Sequence, residues 1–269
     1  MKDYIRQLLE GVSNPVLARC VAREYLQARI LQCFQDRGVF ANWAFQGGTA
    51  LRFLFRMPRF SEDLDFALID VGIKDSFKET ITDAKNMFDR EDYAISIKVN
   101  ESKVVKSAFV RISGLLYELG LSSLPAENLS IKVEVDTNPP MGAKYESTVI
   151  RRYVMLNIRH HDKSSLLAGK LHAVLARQYV KGRDVYDLLW YLSDRSWPQP
   201  NLVLLNNALE QTKWSGPAIT PQNWKSTVLS RAEEFNWDEV VADVRPFFER
   251  AEDIQFLNKE TLLSLLKAV

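Results

Sequence analysis

The sequence predicts an α+β protein, with a mixed sheet in the first part of the chain and helices in the second. Short segments that alternate between apolar and polar residues occur before residue 140, a turn-forming stretch follows at residues 138–142, and apolar residues recur at helical spacing from residue 162. We therefore expect two domains, a mixed-sheet domain at residues 1–160 and a helical domain at residues 161–269.

A helix, a strand and a second helix are expected at the start of the chain. Asn14 is a suitable N-cap for the first helix, and Gly38 is a suitable end. Residues 42–45 are short and aromatic, which favours a strand, and residues 49–55 continue as a helix after two glycines. Pro58 ends that helix, because proline disfavours helical geometry in the residue before it.

The rest of the chain changes from strands to helices. Alternation predicts strands at residues 63–66, 94–99, 108–113 and 129–135, and residues 149–156 are either one more strand or an extended crossing. Helical spacing predicts helices at residues 74–90, from Asp162 through Leu175, and at 184–192, with several more after residue 201. The first domain is therefore expected to be mixed and the second helical.

Composition limits the class of protein. The 269 residues are 46% hydrophobic and 26% charged, which suffices for one large or two ordinary globular domains. The formal net charge of +1 gives no strong overall attraction to nucleic acid. Locally, nine cations lie between Lys144 and Arg183 against two acids, a pattern that suits either an anionic substrate or an ordinary solvated face.

Cysteine content and the N-terminus indicate a cytoplasmic protein with no membrane partner. Cys20 and Cys33 are 13 positions apart in one predicted helix, and we expect both to be buried free thiols in a reducing compartment. The first residues lack the apolar core of a signal peptide. No apolar run reaches the ~20 residues that span a bilayer.

A glycine pair and an acidic strand form the strongest functional pattern. Gly47 and Gly48 lack a Cβ, so their N–H groups can approach phosphates at a helix start. In the strand that follows, Asp63 and Asp65 share a face and lie roughly 7 Å apart, close enough to share hard cations. Because a metal bound by these acids would also bridge phosphates near the glycines, the two features together predict a metal–nucleotide site.

Four motifs resemble those of a known family. They are QGGTALR at residues 46–52, RFSEDLDF at 59–66, KLHA at 170–173 with Arg177, and RDVYDL at 183–188. As a set they resemble the AbiEii/AbiGii abortive-infection toxins, DNA polymerase beta-like nucleotidyltransferases that include MenT-type toxins. The resemblance implies an Mg²⁺-dependent enzyme that transfers a nucleoside monophosphate from an NTP to RNA, in particular to the tRNA 3′ end. It also implies a toxin role in phage defence, with a cognate antitoxin as partner.

The resemblance assigns roles to the matched residues. Asp63 and Asp65 would hold metal, and the phosphates would be contacted by Gly47, Gly48, Thr49, Arg52 and Arg59. For the two arginines, pairing with nearby Glu62 is the alternative. A third metal-binding acid is expected on the polar face of the strand at 129–135, where Glu134 is preferred to Asp136 because Asp136 is nearer the turn.

Two further residues would act from the helical domain, which is expected to complete the active-site cleft. Lys170 would supply charge to the triphosphate, and Asp184 would orient Lys170 or hold ribose or metal. The structural alternatives are an exposed helix lysine for Lys170 and a helix cap for Asp184, with Arg183 and Asp187 forming an ordinary surface pair.

Two other functions fit the same residues. The chain could transfer nucleotides to a small molecule or a protein hydroxyl, or it could be an inactive module that only binds nucleotide or RNA. Acceptor labelling separates the first alternative from RNA modification, and NTP-dependent thermal stabilisation without pyrophosphate release identifies the second.

Overall fold

The computed structural model describes residues 2–73 and 76–267, and the chain forms two compact units. The first unit comprises Met1–Arg56, Phe60–Asn138 and Ser147–His160; the second comprises Met57–Arg59, Pro139–Glu146 and His161–Val269. The predicted α+β class is confirmed, because a mixed sheet characterises the first unit and helices dominate the second.

The first unit combines helices with most of a seven-stranded sheet. Its described helices are α1 (Lys2–Leu9), α2 (Pro15–Asp36), α3 (Gly47–Phe55), α4 (Phe77–Asp89) and α5 (Leu115–Glu118). The strands are β1 (Trp43–Gln46), β2 (Leu64–Leu68), β3 (Ala94–Asn100), β4 (Val105–Ser113), β5 (Asn128–Asp136), β6 (Tyr145–Arg152) and β7 (Val154–His161). Their order in the sheet is β3-β4-β5-β2-β1-β7-β6. The acidic strand β2 is therefore central, antiparallel to β1 and parallel to β5.

Alternation along β2 separates core from polar residues. Leu64 and Phe66 are buried, whereas Asp65 between them is half-buried, as the sequence predicted. The Phe66 ring packs against Phe34, Trp43 and Phe45 at centroid distances of 5.8, 5.6 and 5.1 Å. Burying such a side chain contributes roughly 1.5–3 kcal/mol. The core therefore fixes the register that turns Asp65 to the other face.

The second unit is built mainly from helices. Those described are α6 (Lys163–Ala176), α7 (Gly182–Ser193), α8 (Leu202–Gln211), α9 (Trp224–Glu233), α10 (Trp237–Val244) and α11 (Lys259–Lys267). Asp162 caps α6, because its Oδ1 accepts a hydrogen bond from the Ser165 N–H at 2.7 Å. Gly182 begins α7 with its Cα against the Val240 carbonyl, so a glycine is required where α7 approaches α10.

Several local predictions need correction. The segment at 149–156 is neither one strand nor a crossing: β6 and β7 meet at Tyr153, whose φ is +61°. Helix α1 was not expected, and only Ile5 in it is buried. The predicted helix start at Lys74 lies outside the described residues, and α4 begins at Phe77. Each of the other predicted strands and helices exists, with ends that shift by up to three residues.

Both cysteines lie on α2 as buried free thiols, as expected. Burial raises the pKa of Cys20 to about 11 and also raises that of Cys33. Within residues 2–73 and 76–267, no helix has the length and apolarity needed to cross a membrane.

Candidate active site

The glycine turn and the acidic strand are in direct contact. Gly47 begins α3 with a φ of +79°, a conformation that favours glycine. An alanine Cβ placed there would lie 2.5 Å from Asp65 Oδ2 and 3.2 Å from Asp65 Cβ. The Asp65 carboxyl group therefore occupies the space that a side chain at position 47 would fill, beside the N-terminus of α3. The sequence analysis linked the glycine pair to the acidic strand through a bound metal and phosphates, and did not predict that they touch directly.

The backbone of Asp63 is held from α3. Thr49 is fully buried, and its hydroxyl donates a hydrogen bond to the Asp63 carbonyl oxygen. The expected role of Thr49 was a phosphate contact, but the structure directs its single O–H to the acidic segment. Asp63 immediately precedes β2 and is half-buried, so this bond ties the entry of the strand to the first helical turn after the glycines.

Strand pairing places the candidate third acid. Asp65 is paired with Glu134 across the parallel β2–β5 ladder, and residues paired in this way point to the same face of a sheet. Glu134 also forms an ion pair with Lys132 at 2.8 Å. Asp136 is paired with Ala67, and its Oδ1 accepts a hydrogen bond from the Asn138 N–H at 2.9 Å. The register therefore brings Glu134, and not Asp136, next to Asp65.

Arg52 is buried in an ion pair rather than presented to a ligand. Its Nε donates to Glu24 Oε2 at 2.5 Å, and its guanidinium lies 4.2 Å from the Phe60 ring centroid. Glu24 also accepts hydrogen bonds from Arg152 at 2.7 Å and from the Tyr153 hydroxyl at 2.8 Å. Burial against Glu24 gives Arg52 a structural role.

Five charged residues form an ionic cluster in the second unit: Arg59, Lys170, Arg177, Asp184 and Asp187. Lys170 Nζ lies 3.0 Å from Asp184 Oδ1 and 2.6 Å from Asp187 Oδ2. Arg59 donates to both oxygens of Asp187 at 2.6 Å, and Arg177 donates to Asp184. Lys170 is thus a buried lysine with two carboxylate partners, Asp184 and Asp187.

Lys170 and Asp184 both stay charged despite their burial. Burial alone would lower the pKa of Lys170, but Asp187 and Asp184 raise it above its ordinary value. Burial would likewise raise the pKa of Asp184, yet Lys170 and Arg177 hold it below its ordinary value. Three cations against two acids leave the cluster with a formal charge of +1, and Arg177 is its exposed member.

Arg59 and Asp187 differ from their predicted environments. Arg59, expected to contact phosphate, is 2% exposed and belongs with Met57–Arg59 to the second unit, where the Pro58 carbonyl accepts a hydrogen bond from the Glu249 N–H. Asp187 was considered only as a surface partner of Arg183, but it is fully buried. The motif RDVYDL could have indicated that Asp187 lies on the same face of α7 as Asp184, because its second acid follows the first by one turn.

The acidic strand has the donor chemistry for a hard cation. Among the residues that the structure describes, no three Asp, Glu, His or Cys side chains are grouped closely enough to enclose an ion. Mg²⁺ does not need such an enclosure, because it commonly binds one or two carboxylates, substrate phosphates and water. Asp65 is paired with Glu134 and lies against Gly47 at the start of α3. These residues fit that mode of binding.

The basic stretch from Lys144 to Arg183 is less available than its composition suggests. Arg152 is paired with Glu24, and Lys170 and Arg177 are paired within the ionic cluster. Three of the nine cations are therefore paired with carboxylates of the protein itself. Lys144 and Arg151 are exposed.

Comparison with solved structures defines the class of fold. MenT4, a nucleotidyltransferase toxin from Mycobacterium tuberculosis, is similar with a TM-score of 0.56 and 15% identity over 100% of this chain and 90% of that one. JHP933 from Helicobacter pylori is similar with a TM-score of 0.51 and 19% identity over 91% and 88%. The chain thus shares its overall fold with these two proteins.

The sequence itself gives the family. The model of the AbiEii nucleotidyl transferase toxins of type IV toxin–antitoxin systems matches residues 29–259, and the chain belongs to this family. The predicted resemblance is confirmed. Membership implies transferase activity, a nucleotide substrate and an antitoxin partner. A comparison with curated protein sequences gives no match.

Proposed function

We propose that this chain is an Mg²⁺-dependent nucleotidyltransferase that transfers a nucleoside monophosphate from an NTP to the 3′ end of tRNA. The observation that carries the proposal is the contact of Gly47 with Asp65, together with the pairing of Asp65 and Glu134. It combines a helix N-terminus, which attracts phosphate, with two adjacent carboxylates, which attract a hard cation.

The proposed reaction is a displacement at the α-phosphorus of the NTP. The acceptor hydroxyl oxygen bonds to this phosphorus, the bond to the β-phosphate bridging oxygen breaks, and pyrophosphate leaves. Asp63, Asp65 and Glu134 would hold Mg²⁺, which supplies positive charge to the phosphate oxygens when bound. Glu134 would accept the proton of the attacking hydroxyl.

The remaining residues have supporting roles. The N–H groups of Gly47 and Gly48 are proposed to bind the β and γ phosphates at the start of α3. Thr49 holds the backbone of Asp63. Lys170, kept protonated by Asp184 and Asp187, is proposed to supply positive charge to the departing pyrophosphate.

The choice of acceptor rests on the family resemblance, with modest support from charge. Exposed Lys144 and Arg151 can contact an RNA backbone without contributing sequence specificity. NTP, tRNA and a cognate antitoxin are all found in the cytoplasm, so the proposal places the chain there and gives it a role in phage defence through tRNA modification.

The test is transfer of labelled nucleotide. The protein is incubated with each α-³²P-NTP and Mg²⁺, and with total tRNA, periodate-oxidised tRNA, total protein or a mixture of small polar metabolites. We expect label at tRNA 3′ ends and equimolar pyrophosphate, and no label on oxidised tRNA, which lacks the 3′ hydroxyl. Asp65→Asn should abolish labelling. Asp70→Asn should not, because it changes an exposed carboxylate whose described hydrogen bond is from the Gly72 N–H of its own loop.

Other outcomes separate the alternatives. Label on protein or metabolites, but not on RNA, would replace the acceptor and keep the chemistry. NTP-dependent thermal stabilisation without pyrophosphate release would identify a binding module. Equal turnover in Asp65→Asn and the unmodified protein would reject the assigned metal site.

A further inference from the structure

Three successive backbone carbonyls lead into the acidic strand, and each accepts a hydrogen bond from a buried side chain. Gln27 on α2 donates from Nε2 to the carbonyl oxygens of Ser61 at 3.1 Å and Glu62 at 2.9 Å. Thr49 donates to the next carbonyl, that of Asp63. Residues 61–63 lie just before β2, outside the strand, so these side-chain hydrogen bonds hold the backbone where it enters the sheet.

The orientation of the Gln27 amide follows from its surroundings. Gln27 is 1% exposed, and a flipped amide would set its oxygen against two carbonyl oxygens. Its Oε1 is buried and has no hydrogen-bond partner among the described residues. A buried acceptor in that state is destabilising, so an apolar residue would suit packing better. The amide is therefore explained by the two carbonyls that it holds.

Helix α2 contacts the same segment a second time. Arg23, one turn before Gln27, pairs with the Glu62 side chain at 3.1 Å. Residues 23 and 27 both precede residue 29, where the family match begins. The match therefore gives neither residue a role.

We propose that Gln27 is a positioning residue of the nucleotidyltransferase site. By fixing the carbonyls of Ser61 and Glu62, it sets the position at which Asp63 enters the sheet, and hence the placement of Asp63 and Asp65 as metal ligands. This inference rests on the proposed function for the role of the ion. The contact itself does not depend on that function.

The experiment compares two glutamines on one helix. Gln27→Met keeps length and volume but removes both donors, and Gln27→Glu keeps the shape but can donate at most one bond, when protonated. Gln35→Met is the matched control, because Gln35 lies two turns further along α2 and accepts from the Asn157 N–H at 2.6 Å, away from the acidic segment. All variants are made in the full chain.

Two measurements are made on each variant. Amide hydrogen exchange of residues 61–66 is followed without metal or nucleotide, and thermal midpoints are titrated with Mg²⁺ at a fixed concentration of non-hydrolysable NTP analogue. For Gln27→Met we expect at least tenfold faster exchange confined to residues 61–66. We also expect a roughly 10- to 100-fold higher Mg²⁺ concentration for the half-maximal shift, the usual effect of losing a residue that supports a metal ligand. Gln27→Glu should lie between Gln27→Met and the unmodified protein, because burial beside two carbonyl oxygens keeps the new carboxyl protonated and able to donate one bond. Gln35→Met should change neither quantity.

Each remaining outcome decides a separate question. Equal behaviour of Gln27→Met and Gln35→Met, or faster exchange spread over the whole first unit, would overturn the positioning role. If Gln27→Met does not fold, Gln27→Glu carries the same comparison. An unmodified protein without any Mg²⁺-dependent shift or transfer would reject the proposed function, while the exchange data would still decide whether Gln27 holds the segment.

Discussion

Replacing Gly47 by alanine tests the geometry of the candidate site most directly. The new Cβ would lie 2.5 Å from Asp65 Oδ2, whereas ordinary van der Waals contact begins at 3.4 Å, so the carboxylate must retreat by about 0.9 Å. Rotation of the carboxyl group relieves only part of the clash, because Asp65 Cβ would also be 3.2 Å away. Displacement of a reacting group by about 1 Å can cost 100-fold in rate, and we expect a loss of that size.

Gly38→Ala separates this displacement from backbone strain. Gly38 has a φ of +72°, close to the +79° of Gly47, but a Cβ there meets nothing within 4 Å. Both variants should therefore lose about 1–2 kcal/mol of unfolding free energy through the left-handed conformation. Only Gly47→Ala should also lose activity, because only its Cβ meets a carboxylate.

The assay measures kcat and KM for NTP in both variants and their free energies of unfolding in urea. A Gly47→Ala variant with kcat/KM within about threefold of Gly38→Ala would refute the reasoning, because the displaced Asp65 would then have no catalytic consequence. A 100-fold loss in both variants would instead assign the effect to backbone strain.

Three further outcomes are expected. Asp187→Asn should lower the free energy of unfolding by about 3–5 kcal/mol in urea melts, because it leaves buried Arg59 and Lys170 with a neutral partner. The control Asp89→Asn, which changes the half-exposed helical pair with Lys85, should cost about 0.5 kcal/mol or less. Equal losses in the two variants would contradict this reasoning. In the folded protein the pKa of Asp184 lies below its ordinary 3.8, so its ionised carboxylate stabilises the fold fully above about pH 4 and less as the pH falls further. The free energy of unfolding, measured from pH 6 to 3, should therefore fall less steeply in Asp184→Asn than in the unmodified protein. Burial and a pKa of about 11 should keep the Cys20 thiol unmodified by iodoacetamide at pH 8 until the chain unfolds. Mass spectrometry measures the labelling, and a native protein labelled at Cys20 would contradict a buried, protonated thiol.

Local chemistry accounts for what the sequence predicted correctly. The 22-residue helix α2 begins at an Asn-Pro cap, and the acidic strand is defined by Leu64 and Phe66, both of which the core requires. The polar face of β5 that carries Glu134 was within reach for a similar reason, because that strand alternates strictly. Such features depend on neighbours within a few positions.

The sequence could not indicate structure that depends on distant residues or on an unusual backbone. Asp187 is 128 positions from Arg59, and no local signal connects the two. Glu24 carried no motif, yet it holds Arg52 and Arg152. The turn between β6 and β7 escaped prediction because Tyr153, and not Gly or Asn, takes the positive φ.

The motif RFSEDLDF shows why a match to a family is not a map of contacts to substrate. Its arginine at position 59 is buried on Asp187, its Ser61 and Glu62 carbonyls accept hydrogen bonds from Gln27, and Phe66 lies in the aromatic core. Asp63 and Asp65 are half-buried and lie next to the glycine turn. Within this motif, accessibility separates the two aspartates, which can meet a ligand, from the residues that hold them in place. By that criterion Arg52 and Arg59 belong to the second group, although their chemistry alone suits phosphate equally well.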